Sequence, residues 1–184
     1  MGNKAEELYG VWETYGEGRG KEKLRKVGAV TQEDINGFLR LVKEREIQWV
    51  KWKLGYFVSL MLEECYPGRF IELDVKAVGG KIDVGYQLNW GGVLYVKGDV
   101  DGDVGWCMER GVIVVEGDVE EDVGCAMERG VVIVNGNVKG RVGRLSKEGI
   151  VVVNGVIKKE DWMEEFGEGV VVVNDFVYFG REAR

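Results

Sequence analysis

The sequence predicts a mainly β fold: a parallel β-helix, or solenoid, of 19-residue coils with an α-helical arm at its N-terminus. Three observations predict it. The segment Gly92-Val-Leu-Tyr-Val-Lys-Gly98 recurs as Gly111-Val-Ile-Val-Val-Glu-Gly117, Gly130-Val-Val-Ile-Val-Asn-Gly136 and Gly149-Ile-Val-Val-Val-Asn-Gly155, with a looser copy at Gly169-Val-Val-Val-Val-Asn-Asp175. The leading glycines step by 19, 19, 19 and then 20 residues. Two further glycine columns, Gly98/Gly117/Gly136/Gly155 and Gly105/Gly124/Gly143, keep the same spacing. A fixed period of this kind marks a repeat architecture, in which no unit can bury a face alone. Val and Ile runs are strand formers, and glycine supplies the positive φ expected at each corner. Such a chain closes one coil per repeat, and coils stack at about 4.8 Å with each strand bonded to its copies above and below. An antiparallel barrel or sandwich of short strands would not require three glycine columns at one spacing.

The 184 residues divide into an arm over 1–66 and a β-helix of about five to six coils over 67–184. Residues 4–15 place Ala5, Leu8, Tyr9, Trp12 and Tyr15 at helical spacing. Gly16-Glu-Gly-Arg-Gly20 then interrupts the helix. A phosphate-binding loop there would need a preceding buried strand and a following Lys-Ser/Thr, which are missing, so the segment reads as a flexible joint. Thr31 to Asp34 has capping-box spacing and starts a helix at Gln32, with Ile35, Phe38, Leu39 and Val42 on one face. A second helical pattern runs from about Gln48 to Cys65 and ends before Pro67-Gly68. It is apolar over more of its circumference than a helix with one wet face requires. Residues 70–91 read as a degenerate first coil.

Charge separates the two parts. Residues 1–66 hold 11 basic and 11 acidic side chains, and residues 67–184 hold 14 basic and 21 acidic, so the net −7 lies on the solenoid. Nucleic acid is not an expected partner of that body. The cluster Arg19, Lys21, Lys23, Arg25 and Lys26 is interspersed with Glu17 and Glu22 and reads as a solvated face. No apolar run reaches membrane-spanning length and no signal peptide opens the sequence, so a cytoplasmic location without membrane partners is expected. Abundant Lys and Glu beside scarce Gln, Ser and Thr fits a thermophile. Cys107 and Cys125 fall one position out of step on neighbouring coils, which favours free thiols over a disulfide.

No catalytic, cofactor-binding or metal-binding residue can be assigned. The sequence has no histidine, which removes the commonest base and metal ligand. Only Ser59 and Ser146 could serve as serine nucleophiles, and Cys107 and Cys125 have no imidazole partner. Asp99-Val-Asp101-Gly-Asp103 begins like a calcium loop, but Val104 and Arg110 stand where an EF-hand wants Gly and Glu. Asp99 stacks on Asp118, Asp103 on Asp122, and Glu109 on Glu128. Like charges at about 5 Å in water repel by roughly 1 kcal/mol or less, so a solvated ladder needs no cation. The column Asn135, Asn154 and Asn174 suits turns and can bond to its own copies.

The string Gly-Asp-Val-x-x-Asp-Val-Gly-x-x-Met-Glu-Arg-Gly-Val-x-Val-Val-x-Gly, with Met108 and Met127 in register, resembles the Gly-x-Gly-x-Gly repeat domain. That domain closes the large subunit of glutamate synthases as its C-terminal domain, and it forms much of one subunit of the archaeal formylmethanofuran dehydrogenases. The resemblance covers roughly residues 79–180. It implies a right-handed β-helix with no catalytic residues of its own, acting as spacer and docking surface in a larger oxidoreductase. Residues 1–66 carry no such resemblance, and the 184 residues contain no stretch expected to form an amidotransferase or flavin-binding domain. Hexapeptide acyltransferases repeat every six residues and depend on histidine, which argues against a solenoid enzyme of that kind.

The sequence therefore predicts a non-catalytic scaffold or assembly protein, meeting protein partners or itself through the solenoid surface. The alternative is a structural subunit of a glutamate-synthase-like or formylmethanofuran-dehydrogenase-like enzyme. Alternation along the strands puts Leu94/Val96, Ile113/Val115, Val132/Val134, Val151/Val153 and Val171/Val173 inside. It puts Val93/Tyr95, Val112/Val114, Val131/Ile133, Ile150/Val152 and Val170/Val172 outside, as one apolar wall. The helix over 48–65 is expected to cover that wall at Val112, Val114, Val131 and Ile133, with a second subunit as the fallback cover. Trp162, Met163 and Phe166 interrupt the repeat, and these with Phe176, Tyr178 and Phe179 are expected to plug the last coil.

Overall fold

The computed structural model of the protein describes residues 3–15, 20–45, 50–160, 162 and 165–179. Four helices come first: α1 (Lys4–Glu13), α2 (Gly20–Val27), α3 (Gln32–Glu44) and α4 (Lys51–Glu64). Seven strands follow: β1 (Phe70–Asp74), β2 (Asn89–Lys97), β3 (Arg110–Glu116), β4 (Val131–Val134), β5 (Ile150–Val153), β6 (Val170–Val173) and β7 (Phe176–Phe179). They form one sheet in chain order, parallel up to β6, with β7 antiparallel to it. Parallel neighbours in chain order require each connection to circle back, which gives a β-solenoid of about five turns.

Two single-residue ladders complete each coil. Val84, Val104, Val123 and Val142 bridge down one side, and Val100, Val119, Val138 and Ile157 down another. In the coil that starts with β3, Ile113, Val115, Val119, Val123 and Met127 all point inward and are fully buried. The strand parity holds: Leu94, Val96, Ile113, Val115, Val132, Val134, Val151, Val153 and Val171 are buried, and their outward neighbours are not. Val173, nearest the open end, is half-buried. The first coil is irregular, because Phe70 pairs with Val93, 23 positions on. A 3-10 helix (Val75–Val78) takes up the surplus.

Glycine serves the corners in two different ways. Gly105, Gly124 and Gly143 have φ of 73°, 68° and 69°, the left-handed bend expected of a glycine corner. In the other column only Gly98 has a positive φ, which corrects that expectation for Gly117, Gly136 and Gly155. There the reason is proximity: a Cβ on Gly136 would lie 2.2 Å from Gly117 O, and one on Gly155 2.2 Å from Gly136 O. Successive coils touch backbone to backbone at this corner.

The helices stand where a preceding coil would be. The capping box of α3 forms, with Thr31 N donating to Asp34 Oδ2 at 2.8 Å and Asp34 N to Thr31 Oγ1 at 3.2 Å. The start of α3 then covers the free edge of β1. Glu72 N donates to Gln32 Oε1 at 2.8 Å, Asn36 Nδ2 to Glu72 O at 3.0 Å, and Asp74 N to Asn36 Oδ1 at 3.1 Å. An edge strand that would otherwise present bare backbone groups is thereby satisfied. The segment 16–19 of the expected joint and Gln48 at the expected start of α4 lie outside the described residues. Lys21, Lys23, Arg25 and Lys26 of the basic cluster lie on α2, where Arg25 and Lys21 pair with Glu64, and Arg19 lies outside the described residues.

α4 does not lie across the outer wall, contrary to the expectation from its apolar surface. It closes the mouth of the first coil. Asp83 N donates to Lys51 O at 3.3 Å, Asn89 N donates to Glu63 Oε1 at 2.8 Å, and a Cβ on Gly55 would sit only 1.7 Å from Asp83 O. On its other side, the Phe57 ring lies 5.3 Å from each of Trp12, Tyr15 and Phe38. The physical reason is area and hydrogen bonding together. An open coil end exposes a full core cross-section and unpaired backbone, whereas wall side chains are already flanked by their stacked copies. One apolar cluster runs unbroken from Leu8 to Val171.

The other end closes differently. Asn174 and Asp175 have φ of 43° and 72°, the pair of positive values that a two-residue type I′ hairpin needs. Trp162 and Tyr178 meet with ring centroids 5.3 Å apart, and Trp162 and Phe166 at 6.4 Å, all three packed against the core. Phe176 and Phe179 do not plug the coil: they are 70% and 73% exposed. The hairpin carries them onto a strand beyond the last turn, the end strand of the described sheet. Met163 lies outside the described residues.

Candidate functional site

One candidate surface is the wall, and strand register alone builds it. Phe70, Val93, Val112, Val131, Ile150, Val170 and Phe179 stack in one column. Tyr95, Val114, Ile133, Val152, Val172 and Val177 stack beside them, headed by Glu72. All are half-buried or exposed, Phe70 at 54% and Ile150 at 39%. The helices meet the sheet chiefly through the edge of β1 and the start of β2, which leaves the wall open among the described residues. Polar borders flank it. On one side stand Arg110, Arg129 and Glu148, the last two paired at 3.0 Å. On the other stand Lys97, Glu116, Asn135 and Asn154, where Asn154 Nδ2 donates to Asn135 Oδ1 at 2.8 Å and Asn135 Nδ2 to Glu116 Oε1 at 2.6 Å.

Around the corner, the aspartate columns turn out to be braces. Asp99 Oδ1 accepts from Asp118 N at 2.9 Å, and Asp118 Oδ1 from Asn137 N at 2.7 Å. In the second column Asp83 Oδ1 accepts from Asp103 N at 3.1 Å, Asp103 Oδ1 from Asp122 N at 2.8 Å, and Asp122 Oδ1 from Arg141 N at 2.7 Å. Each carboxylate thus ties its coil to the next, a role beyond that of the solvated ladder expected from sequence. Asp83, Asp103 and Glu121 bring one oxygen each within 4.8 Å of the others, a spacing that could hold a metal ion. The Lys51 ammonium already supplies positive charge there, 2.7 Å from Glu121 and 2.8 Å from Asp101. Beside this cluster a shallow groove of about 430 Å³ is lined by Asp103, Trp106, Glu121, Lys139 and Arg141 among others.

The chain matches no protein-family model, no curated protein and no solved structure.

The residues singled out as possible nucleophiles are scattered. Ser59 and Ser146 are buried in the interior, their hydroxyls without hydrogen-bond partners among the described residues. Cys107 N donates to Cys125 O at 2.9 Å, and Cys65, Cys107 and Cys125 form no disulfide. Burial pushes the Cys65 and Cys125 thiols up to about 11. The convergence of Asp83 and Glu121 on Asp103, with Lys51 paired to Glu121, forms no motif in the sequence. Its one signal there is Asp83, which stands 20 positions before Asp103 as Asp103 stands 19 before Asp122.

Position in the stack decides how these aspartates titrate. Hydrogen bonds from Asn137 hold Asp118 below its ordinary value. Burial, reinforced by the carboxylates of Asp83 and Glu121, pushes Asp103 up to about 7. Between about pH 4 and pH 7 the folded state holds a proton at Asp103 that the unfolded chain has lost, so this group's contribution to stability falls as pH rises. With partial solvent screening the cost above pH 7 is about 1–2 kcal/mol. Asp103→Asn keeps the acceptor for Asp122 N and removes the charge. It should unfold at higher urea than the wild type at pH 8 and at nearly the same urea at pH 4. A less stable variant at pH 8 would contradict this reading.

Proposed function

We propose that the chain is a non-catalytic assembly module whose outer wall docks an amphipathic helix of a partner protein. The observation that carries this is the wall itself: two stacked apolar columns, of seven and six side chains, uncovered by the chain's own helices and bordered by polar residues. Seven strands at about 4.8 Å span about 29 Å. A helix of about 20 residues has that length, and its apolar stripe suits a strip two residues wide. Side-chain size favours a convex partner over a second copy of the same face. Phe70 and Tyr95 rise at one end and Phe179 at the other, with only β-branched residues between. Two such faces would meet at their ends and part in the middle, whereas a helix fills the trough. Contiguous apolar surface of this extent marks an interaction site in a folded protein.

The absence of histidine and the burial of Ser59, Ser146, Cys65 and Cys125 support a non-catalytic role. The repeat's resemblance to the Gly-x-Gly-x-Gly domain extends the proposal: the partner would be a subunit of a larger oxidoreductase. The reading is tested with a library of 20-residue amphipathic peptides drawn from the source proteome, followed by fluorescence anisotropy. Helical binders should emerge, and Ile133→Lys or Val152→Lys should weaken them at least tenfold. Failure to select any helical binder, or binding indifferent to both substitutions, would overturn the docking proposal.

A further inference from the structure

The two ends of the sheet are finished unequally. At β1 the side chains of Gln32 and Asn36 take up the edge groups of Glu72 and Asp74. At β7 no described strand or helix lies beyond the edge. Phe176-Val-Tyr-Phe179 carries no lysine, proline or bulge of the kind that blunts natural edges. Three of its four side chains are mostly exposed: Phe176 at 70%, Val177 at 51% and Phe179 at 73%. An apolar edge in this condition pairs with another strand.

We infer that β7 pairs with β7 of a second copy of this chain, joining two solenoids tail to tail about a two-fold axis. The inference stands on the edge alone and does not rest on the docking role of the wall. The hairpin sets the register. A two-residue turn makes Val173 and Phe176 a hydrogen-bonded pair, so Phe176 and Tyr178 direct their N–H and C=O groups at β6. By alternation Val177 and Phe179 direct theirs to the free side. Two-fold pairing then sets Val177 opposite Phe179 of the second copy, and Phe179 opposite Val177, with the axis at Tyr178 and four backbone hydrogen bonds. The same register keeps outward side chains on one face, so the apolar pairs cover one another and the wall continues across the junction. Identical antiparallel strands satisfy this arrangement with no other component. Four residues a side make a small interface between chains of net charge −7, so the dimer forms reversibly with concentration and is favoured by salt.

Sedimentation velocity on the full chain over a range of concentrations tests this. The wild type should move from monomer to dimer as concentration rises. Val177→Pro should remain monomeric with unchanged circular dichroism, because the Val177 N–H faces away from β6 and the hairpin does not use it. Tyr178→Cys, at the axis in a non-hydrogen-bonded pair with Cα atoms about 4.5 Å apart, should form a disulfide-linked dimer on mild oxidation where the wild type does not. Ile133→Lys should leave dimerisation unchanged. A wild type that stays monomeric throughout, a dimer that survives Val177→Pro, or Tyr178→Cys that fails to cross-link would each overturn the inference. Loss of the dimer in Ile133→Lys would also overturn it, by placing the contact on the wall.

Discussion

Gly136→Ala should destabilise the protein by about 3 kcal/mol or more, at the upper end of overpacking effects. The added methyl would lie 2.2 Å from Gly117 O and 2.5 Å from its carbonyl carbon, and neither backbone atom can turn aside as a side chain could. Relief requires the two coils to separate at that corner. Separation would strain the Val119–Val138 bridge just beyond and the Asn137 N to Asp118 Oδ1 bond between them. Equilibrium urea unfolding measures the loss. A variant within about 0.5 kcal/mol of the wild type, the usual range for a surface change, would show that the corner has slack.

Gly55→Ala should be comparably harmful, against the normal rule for helices. Replacing a mid-helix glycine by alanine ordinarily stabilises by about 1 kcal/mol. Gly10 in α1 provides that control, since a Cβ there meets nothing within 4 Å. At Gly55 the same methyl would stand 1.7 Å from Asp83 O, so α4 would have to lift off the first coil. Lifting it would break the bond from Asp83 N to Lys51 O and uncover Leu54 and Val84. Opposite signs for Gly10→Ala and Gly55→Ala would locate the helix on the coil mouth. Equal small gains at both sites would place α4 elsewhere.

Much of the fold is legible in the sequence because the period writes the same physical demand five times. Strand parity follows from the polar residue before each second glycine, and the asparagine ladder follows from Asn135 and Asn154 sharing a position. The capping box at Thr31 and Asp34 is equally local, and all of these form. What is not legible depends on where one element meets another. The apolar surface of α4 shows that the helix must be covered on most sides, and it carries no information on which of two apolar surfaces covers it. Gly55 is the clue, a glycine in the middle of a helix, and its meaning requires the position of Asp83. The bends at Gln87, Cys107, Ala126 and Leu145 have φ of 51–53° without glycine, so residue type gives no signal there. Asn174-Asp175 reads as another corner of the repeat and folds as a hairpin turn, which is why Phe176 and Phe179 stand outside the coil they were expected to plug. The candidate surface is thus readable as a pattern, and its openness is not.

The helices close the coil end and leave the wall free, and chemical denaturation of Ile133→Lys, set beside Leu54→Lys, tests this most directly. Ile133 is half-buried on the open wall, where a lysine stem can lie along the neighbouring columns with its ammonium in water. Leu54, on α4, is fully buried. A free wall predicts a change within about 1 kcal/mol for Ile133→Lys and a loss above about 4 kcal/mol for Leu54→Lys. A loss of the larger size at Ile133 would contradict it, because only a wall already covered within the chain could respond in that way.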